Sequence, residues 1–236
     1  MRSARLSSFM SVGTRFSALG GVLMTAESPV KVSSYDKIGL TCLSNIENQF
    51  LLETFFAPPG AFSVTINGWG QDHSEKMKRY EYMAQAGIMI GTASNGKLQW
   101  KKDKGAVTIQ LKLTAEELAV VKEGMKKLAE IFLAGGAKVV YPGTIRPLTI
   151  RNTSELSLLD THVRSQSDIL YGSAHPQGGN PMSDDPAIGV IDSRFKVYGF
   201  SNLSIVDASI FPANIWANCQ ATVMSMARVA ADYIMQ

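Results

Sequence analysis

The chain has 236 residues, of which 45% are apolar and 18% are charged, and its formal net charge is +3. A chain of this size and composition can bury a hydrophobic core, so we expect a globular protein of one or two domains. The basic residues form no continuous stripe, which argues against a nucleic-acid-binding protein.

The cysteines and the apolar runs exclude further classes of protein. Cys42 and Cys219 are far apart and lack metal-ligand spacing, so we expect neither a disulfide framework nor a bound metal. Free thiols fit a reducing compartment, and a cytoplasmic location is predicted. The apolar runs are too short for a transmembrane helix. Peripheral association with a membrane stays open.

The N-terminal segment contains several arginines and serines and has no acidic residue before Glu27. This composition occurs in transit peptides and in weak signal peptides. No apolar run in the segment is long enough for a secretory signal, however. The alternative that these residues belong to the folded body therefore stays open.

Short apolar runs interrupted by glycine and proline come next in the chain. They cover residues 20–24, 38–42 and 50–56, and the last run stops at the Pro-Pro-Gly of residues 58–60. Aromatic and β-branched side chains between turn residues predict strands. The polar segment 74–85 carries apolar side chains at three-residue spacing and predicts an amphipathic helix. A further strand is expected just after it, around residues 87–91.

The middle of the chain shows one clear strand pattern and one clear helix pattern. Apolar and polar residues alternate over 107–113, which predicts a strand with one buried face. Thr114 and Glu117 then form a capping box, and the following apolar residues recur on one helical face. Gly135-Gly136 should end this helix.

Weaker patterns follow. Residues 139–141 predict a short strand and residues 157–164 a short helix. From residue 190 we expect a strand, a turn at Tyr198-Gly199 and a second strand whose residues 203–206 are buried. The final helix should cover roughly residues 220–234, and its many small residues would allow close packing.

The last 65 residues carry the most specific pattern. It consists, in chain order, of a His-Pro loop at 173–180 followed by Met182, then 190–192, 196–199, 202–212, and Asn218 with Thr222. This order resembles the C-terminal signature of the glucose-methanol-choline (GMC) oxidoreductases, which are flavin enzymes that oxidise alcohols. Residues 51–54 and 106–140 are similar to the substrate domain of the branch related to long-chain-alcohol and sterol oxidases.

The resemblance implies two catalytic residues. His175 would be the general base, a role that suits an imidazole because its ordinary pKa of about 6.5 is close to working pH. Asn218 would orient the alcohol through its side-chain amide. The helix that begins near Cys219 presents a positive N-terminus, which would favour an anionic reduced flavin.

The resemblance also implies a set of FAD contacts. Asp207 and Ala208 would contact the ribityl-pyrophosphate part, and Asn218, Cys219 and Thr222 would lie near the pyrimidine edge of the isoalloxazine.

Each of these residues, taken alone, has an ordinary structural explanation. His175 could be a structural histidine, Asn218 a helix cap and Asp207 a turn residue. Their joint order favours the site. A hydrolase that uses Ser173 and His175 is disfavoured, because residues so close on one loop do not align a hydroxyl with an imidazole and no nucleophile elbow is present.

Two features depart from the family pattern. Cys219 stands where members usually have proline, which leaves a backbone N–H and a thiol at that point. The Gly-x-Gly-x-x-Gly fingerprint that holds the ADP half of FAD is absent, since the glycines at 20–21 have neither its spacing nor its context. Residues 1–4 resemble the interior of such enzymes. We therefore expect the C-terminal half of a flavoenzyme, with an N-terminal FAD-binding half or subunit as partner.

The predicted fold is α+β. Residues 1–165 would form a substrate-binding domain, an antiparallel sheet with flanking helices, and residues 166–236 would complete an FAD-binding domain. Without its partner half, this C-terminal part should expose apolar surface.

The predicted function is FAD-dependent oxidation of the CH–OH group of a small-molecule alcohol. Apolar and aromatic residues over 50–62 hint at a hydrophobic substrate. The alternative is a non-catalytic remnant or interaction module that retains the fold without flavin.

Overall fold

The computed structural model describes residues 11–36, 40–47, 49–55 and 57–235, which form a mixed α and β fold as predicted. The strands are β1 (Thr14–Glu27), β2 (Leu43–Ile46), β3 (Phe50–Phe55), β4 (Met83–Gly91), β5 (Lys97–Lys101), β6 (Ala106–Gln110), β7 (Val139–Tyr141) and β8 (Tyr171–Gly179). The α-helices are α1 (Pro59–Ser63), α2 (Gly70–Lys78), α3 (Ala115–Ala134), α4 (Leu158–His162) and α5 (Gln220–Ile234).

The internal contacts divide these residues into two compact units. The sheet unit consists of Gly20–Ile90 and Leu113–Gly172, and the described part of the C-terminal unit consists of residues 11–19, 91–112 and 173–235. Strands β1, β4 and β8 have residues in both. The division at residue 165 into substrate-binding and FAD-binding parts concerns function, which these contacts do not test, so it stays a prediction.

The sheet unit is built on an antiparallel sheet covered by α3. Its strand order is β2-β3-β4-β1-β7, with Leu51 opposite Met89 and Thr25 opposite Tyr141. Helix α3 buries one face, including Met125, against side chains of the sheet. These contacts form the larger hydrophobic core of the protein.

Local signals at both ends of α3 are confirmed. Thr114 Oγ1 accepts a hydrogen bond from the backbone N–H of Glu117 at 3.2 Å, and the Glu117 carboxylate accepts one from the N–H of Thr114 at 2.7 Å. The helix stops where Gly136 adopts a φ of +88°, a conformation that glycine reaches without strain.

The C-terminal unit has a smaller core and less regular structure. Strands β5 and β6 form an antiparallel hairpin, and β8 pairs with β1. A long irregular segment then leads to α5. Its buried apolar residues pack with Ala230 of α5 in a second core, whose members are Val190, Ile191, Phe195, Val197, Ile210, Phe211, Cys219 and Ala230.

Several predicted elements are confirmed, and the targeting interpretation fails in part. Helix α5 has the predicted bounds, α4 lies inside 157–164, and strands cover 20–24, 87–91 and 139–141. The predicted strand at 50–56 is β3, which ends at Phe55. Because β1 begins at Thr14 and is largely buried, the segment from there to Glu27 belongs to the folded body.

Four other predictions are wrong in detail. The helix expected over 74–85 is α2, which ends at Lys78, because Met83 already begins a strand and Gln85 pairs with Phe55. For the strand expected at 38–42, residues 38–39 lie outside the described residues and 40–42 are not in a strand.

The third error concerns burial. Strand β6 ends at Gln110 and buries neither face, and Ile109 is 65% exposed. The fourth error concerns the two strands expected from residue 190. Isolated bridges, such as Ile191 with Val197, form there instead, around the correctly predicted turn at Tyr198-Gly199. Leu203 is 44% exposed because no neighbouring strand covers this segment among the described residues.

The expected apolar surface of the C-terminal part is present. Seven of the large apolar side chains there are between 42% and 64% exposed: Phe200, Leu203, Trp216, Met224, Val229, Tyr233 and Ile234. Within the described residues, none of the helices has both the length and the apolar character needed to cross a bilayer. The same residues hold no group of three or more metal-ligating side chains.

Candidate functional site

His175 lies in strand β8, whereas the sequence predicted a loop. The difference arises because the segment up to Gly179 pairs with β1. The backbone N–H of His175 donates to Ser173 Oγ at 2.9 Å, and that hydroxyl donates to the carbonyl of Leu19 at 2.7 Å. The hydroxyl of Ser173 is therefore used to anchor the strand, which further weakens the hydrolase alternative.

A buried glutamine joins this strand to the loop before α5. Gln177 is 1% exposed, its Oε1 accepts a hydrogen bond from the Ile215 N–H at 2.8 Å, and its Nε2 donates to the Ile215 carbonyl at 3.4 Å. Alternate residues of a strand share one face, so Gln177 and His175 project to the same side of β8. The clamp therefore ties the His175 side of the strand to the loop that leads, three residues later, to Asn218.

Asp207 and Ala208 lie at a turn held against the far end of β8. Asp207 Oδ1 caps the 3₁₀ turn Ala208–Ile210 by accepting from the Ser209 N–H at 2.8 Å. The Asn180 N–H donates to the Ser209 carbonyl at 2.9 Å, and Asn180 Nδ2 donates to Ser209 Oγ at 2.9 Å. The Asp207 side chain is exposed. The same strand thus supports both the His175 segment and this turn.

The N-terminus of α5 lies next to Asn218. Cys219 is the N-cap residue, its side chain is 8% exposed, and it makes no capping hydrogen bond. Asn218 is exposed and Thr222, in the first helical turn, is half-buried. The first N–H groups of a helix have no intrahelical acceptor. This helix end can therefore donate hydrogen bonds to, and favour negative charge on, a bound group.

A buried amide in the same loop has an unpaired end. Asn214 Nδ2 donates to Ser17 Oγ at 3.1 Å, but its Oδ1 is buried and has no partner among the described residues. Reversing the amide leaves the nitrogen unpaired instead, so one end lacks a partner in either orientation. Gly91 lies beside it, where a Cβ atom would be 2.6 Å from Asn214 Oδ1 and 2.9 Å from the Trp216 ring.

His175 thus lies in β8, and the other predicted residues lie on two segments that hydrogen-bond to Gln177 of β8 and to Asn180, the residue after the strand. Sequence reasoning missed Gln177 and Asn214. The only signal for Gln177 was its position two residues after His175, which puts both on one face if the segment is a strand. Asn214 carried no signal, because its environment is formed by distant parts of the chain. The catalytic and FAD-binding roles of the predicted residues stay predictions.

Comparisons with known proteins identify the family. The family model described as GMC oxidoreductase matches residues 92–227, more than half of the chain. The chain is 25% identical over 183 residues to an uncharacterised GMC-type oxidoreductase of Mycobacterium tuberculosis, which covers 77% of this chain and 28% of that protein. It is 28% identical over 219 residues to an oxygen-dependent choline dehydrogenase of Yersinia pseudotuberculosis, which covers 84% of this chain and 36% of that protein.

A solved structure shows the same fold. Formate oxidase of Aspergillus oryzae, which has been studied for its FAD modification, matches with a TM-score of 0.65 at 16% identity, over 95% of this chain and 47% of that one. The chain thus spans between 28% and 36% of the length of the two curated relatives. Because the family model matches more than half of the chain, including the whole C-terminal signature, this chain belongs to the GMC oxidoreductase family.

Proposed function

We propose that this chain carries the catalytic residues of an FAD-dependent oxidoreductase that acts on the CH–OH group of an alcohol. The observation that carries the proposal is the clamp from Gln177 to Ile215, which ties the strand of His175 to the loop of Asn218. Family membership and the alcohol-type substrate of the choline dehydrogenase relative support the same assignment.

The residues beside the clamp suit the pyrimidine edge of a flavin, which alternates C=O and N–H groups. The N-terminus of α5, where the Cys219 side chain makes no capping hydrogen bond, offers donors to carbonyl oxygens, and the unpaired Asn214 amide oxygen offers an acceptor to an N–H. Cys219 and Thr222 belong to the same helix end. The exposed carboxylate of Asp207, beside the small Ala208, suits the hydroxyls of the ribityl chain.

In the proposed reaction His175 removes the hydroxyl proton of the alcohol at a ring nitrogen. Asn218 orients the hydroxyl through its amide. The bound FAD supplies the acceptor for the hydride that leaves the carbon, so the alcohol becomes a carbonyl compound. The positive end of α5 stabilises the negative charge that results. After the reaction His175 returns its proton to solvent.

An FAD-binding N-terminal region completes the proposed enzyme. The family model that matches describes a C-terminal domain. The exposed side chains of Trp216, Met224 and Ile234 form an apolar surface that an N-terminal region would cover. Such a region would supply the dinucleotide-binding fold that holds the ADP part of the cofactor.

Flavin absorbance tests the proposal. The chain is purified alone and after co-expression with its FAD-binding region, and the bound flavin is measured. We expect flavin in the complex, and weaker retention in Asp207→Ala. Asp192→Ala is the matched control, because Asp192 Oδ1 also accepts backbone hydrogen bonds in a turn, from Arg194 and Lys196, without a predicted role in binding. Failure to bind flavin with any such region would favour the non-catalytic alternative.

A further inference from the structure

The β5–β6 hairpin carries an apolar face that no described residue covers fully. Trp100 pairs with Val107 and Leu98 pairs with Ile109, so these four side chains lie on one face, which we term the hairpin face. Trp100 is 64%, Val107 55% and Ile109 65% exposed. Exposed apolar side chains that lie next to each other mark a surface for association.

The base of the hairpin is fixed to the C-terminal unit. Phe16 and Gly96 exchange two backbone hydrogen bonds of 3.1 and 2.8 Å, and the Leu98 N–H donates to the Gly13 carbonyl at 2.7 Å. The tip is a turn closed by hydrogen bonds from Lys104 to Lys101 and from Gly105 to Lys102. The Trp100–Val107 pair lies next to this tip.

The hairpin also contains the net positive charge of the whole chain. Residues 97–110 include four lysines, at 97, 101, 102 and 104, against one acid, Asp103, which gives +3. The formal net charge of all 236 residues is also +3, so the rest of the chain is neutral. Within the described residues, no ion pair joins any of the four lysines to an acid.

We infer that the hairpin docks this protein on the surface of an anionic phospholipid bilayer. The indole of Trp100 suits the headgroup boundary, where its apolar body is buried and its N–H stays in a polar layer. Lysines near such a surface are attracted to anionic headgroups. Four apolar side chains are few compared with a stable protein interface, whereas they suffice for shallow insertion beside a basic tip.

This inference does not rest on the oxidoreductase assignment, and vesicle binding tests it directly. The full chain is centrifuged with vesicles made of equal parts of phosphatidylcholine and phosphatidylserine, and with vesicles of phosphatidylcholine alone. We expect co-sedimentation with the first and not with the second, and its loss as the salt concentration is raised. The tryptophan emission of the chain should shift to shorter wavelength on binding, and Trp100→Phe should remove most of that shift.

Two hairpin variants and two controls locate the surface. Trp100→Ser and the pair Lys102→Glu with Lys104→Glu should each lower vesicle binding about tenfold or more. Met224→Ser removes an apolar side chain of equal exposure, 64%, from α5, and Lys127→Glu reverses a lysine on α3. Both controls should bind as the unchanged chain does. Circular dichroism checks that all four variants are folded.

Three results would overturn the inference. The chain could fail to bind phosphatidylserine vesicles. The controls could lose binding as fully as the hairpin variants do, which would move the surface elsewhere. Binding could also disappear once the FAD-binding region is present, which would make the hairpin face a contact within the enzyme.

Discussion

Replacing Gln177 by methionine should loosen the loop that carries Asn218. Methionine fills a similar volume, so the variant removes the two hydrogen bonds to Ile215 without opening a large cavity. Leaving a buried backbone N–H without a partner costs about 1–3 kcal/mol. Ile215 is only partly buried, so water offsets part of this cost and the lower half of that range applies best.

Thermal unfolding and amide hydrogen exchange measure the effect. A loss of about 1–2 kcal/mol lowers the Tm by roughly 2–8 °C in a protein of this size. The Ile215 amide should exchange faster, while amides of α3 should change less. In the flavin-loaded enzyme kcat should fall more than KM rises, because His175 and Asn218 lose their mutual placement.

A matched variant separates the clamp from a general effect of the substitution. Gln99→Met changes an exposed glutamine in β5 and should alter stability by less than about 0.5 kcal/mol. If Gln177→Met leaves both the Tm and the exchange rate of the Ile215 amide unchanged, the clamp does not hold the loop.

Three further predictions concern the sheet unit. Thr114→Ala removes the capping box and should lower the free energy of unfolding by about 0.5–2 kcal/mol in a denaturant titration. In Gly21→Ala the new Cβ would overlap the Ile88 carbonyl, so a loss of more than about 2 kcal/mol is expected, whereas Gly60→Ala, with open space around it, should be tolerated. Burial, followed by the charge of the Glu27 carboxylate, raises the pKa of Tyr141 to about 12. Between pH 10 and 12 the unfolded chain therefore loses this proton before the folded one, stability falls as pH rises, and Tyr141→Phe should lessen that fall.

Elements specified by nearby residues could be predicted from sequence. Helix α3 follows from its capping box, its periodic apolar face and Gly135-Gly136. These signals act within a few residues of the backbone they shape, so distant parts of the chain do not alter them.

Burial and side-chain pairing could not be predicted in the same way. The alternation over 107–113 indicated a strand, which forms over Ala106–Gln110, but whether its apolar face is covered depends on a neighbour that the pattern does not specify. For the same reason the apolar segment at Leu203 was expected to be buried and is exposed. The Gln177 clamp depends on a partner 38 residues away.

The most direct test of the proposed mechanism is the rate of flavin reduction by alcohols in the flavin-loaded enzyme that contains this chain. Rapid mixing without oxygen, with a series of primary alcohols of increasing chain length, would follow the loss of flavin absorbance in the unchanged enzyme, in His175→Asn and in the control His162→Asn on α4. We predict that His175→Asn keeps its flavin but is reduced about 10²–10⁴ times more slowly, while His162→Asn behaves as the unchanged enzyme. Reduction of His175→Asn at the full rate would contradict the assignment of His175 as the base.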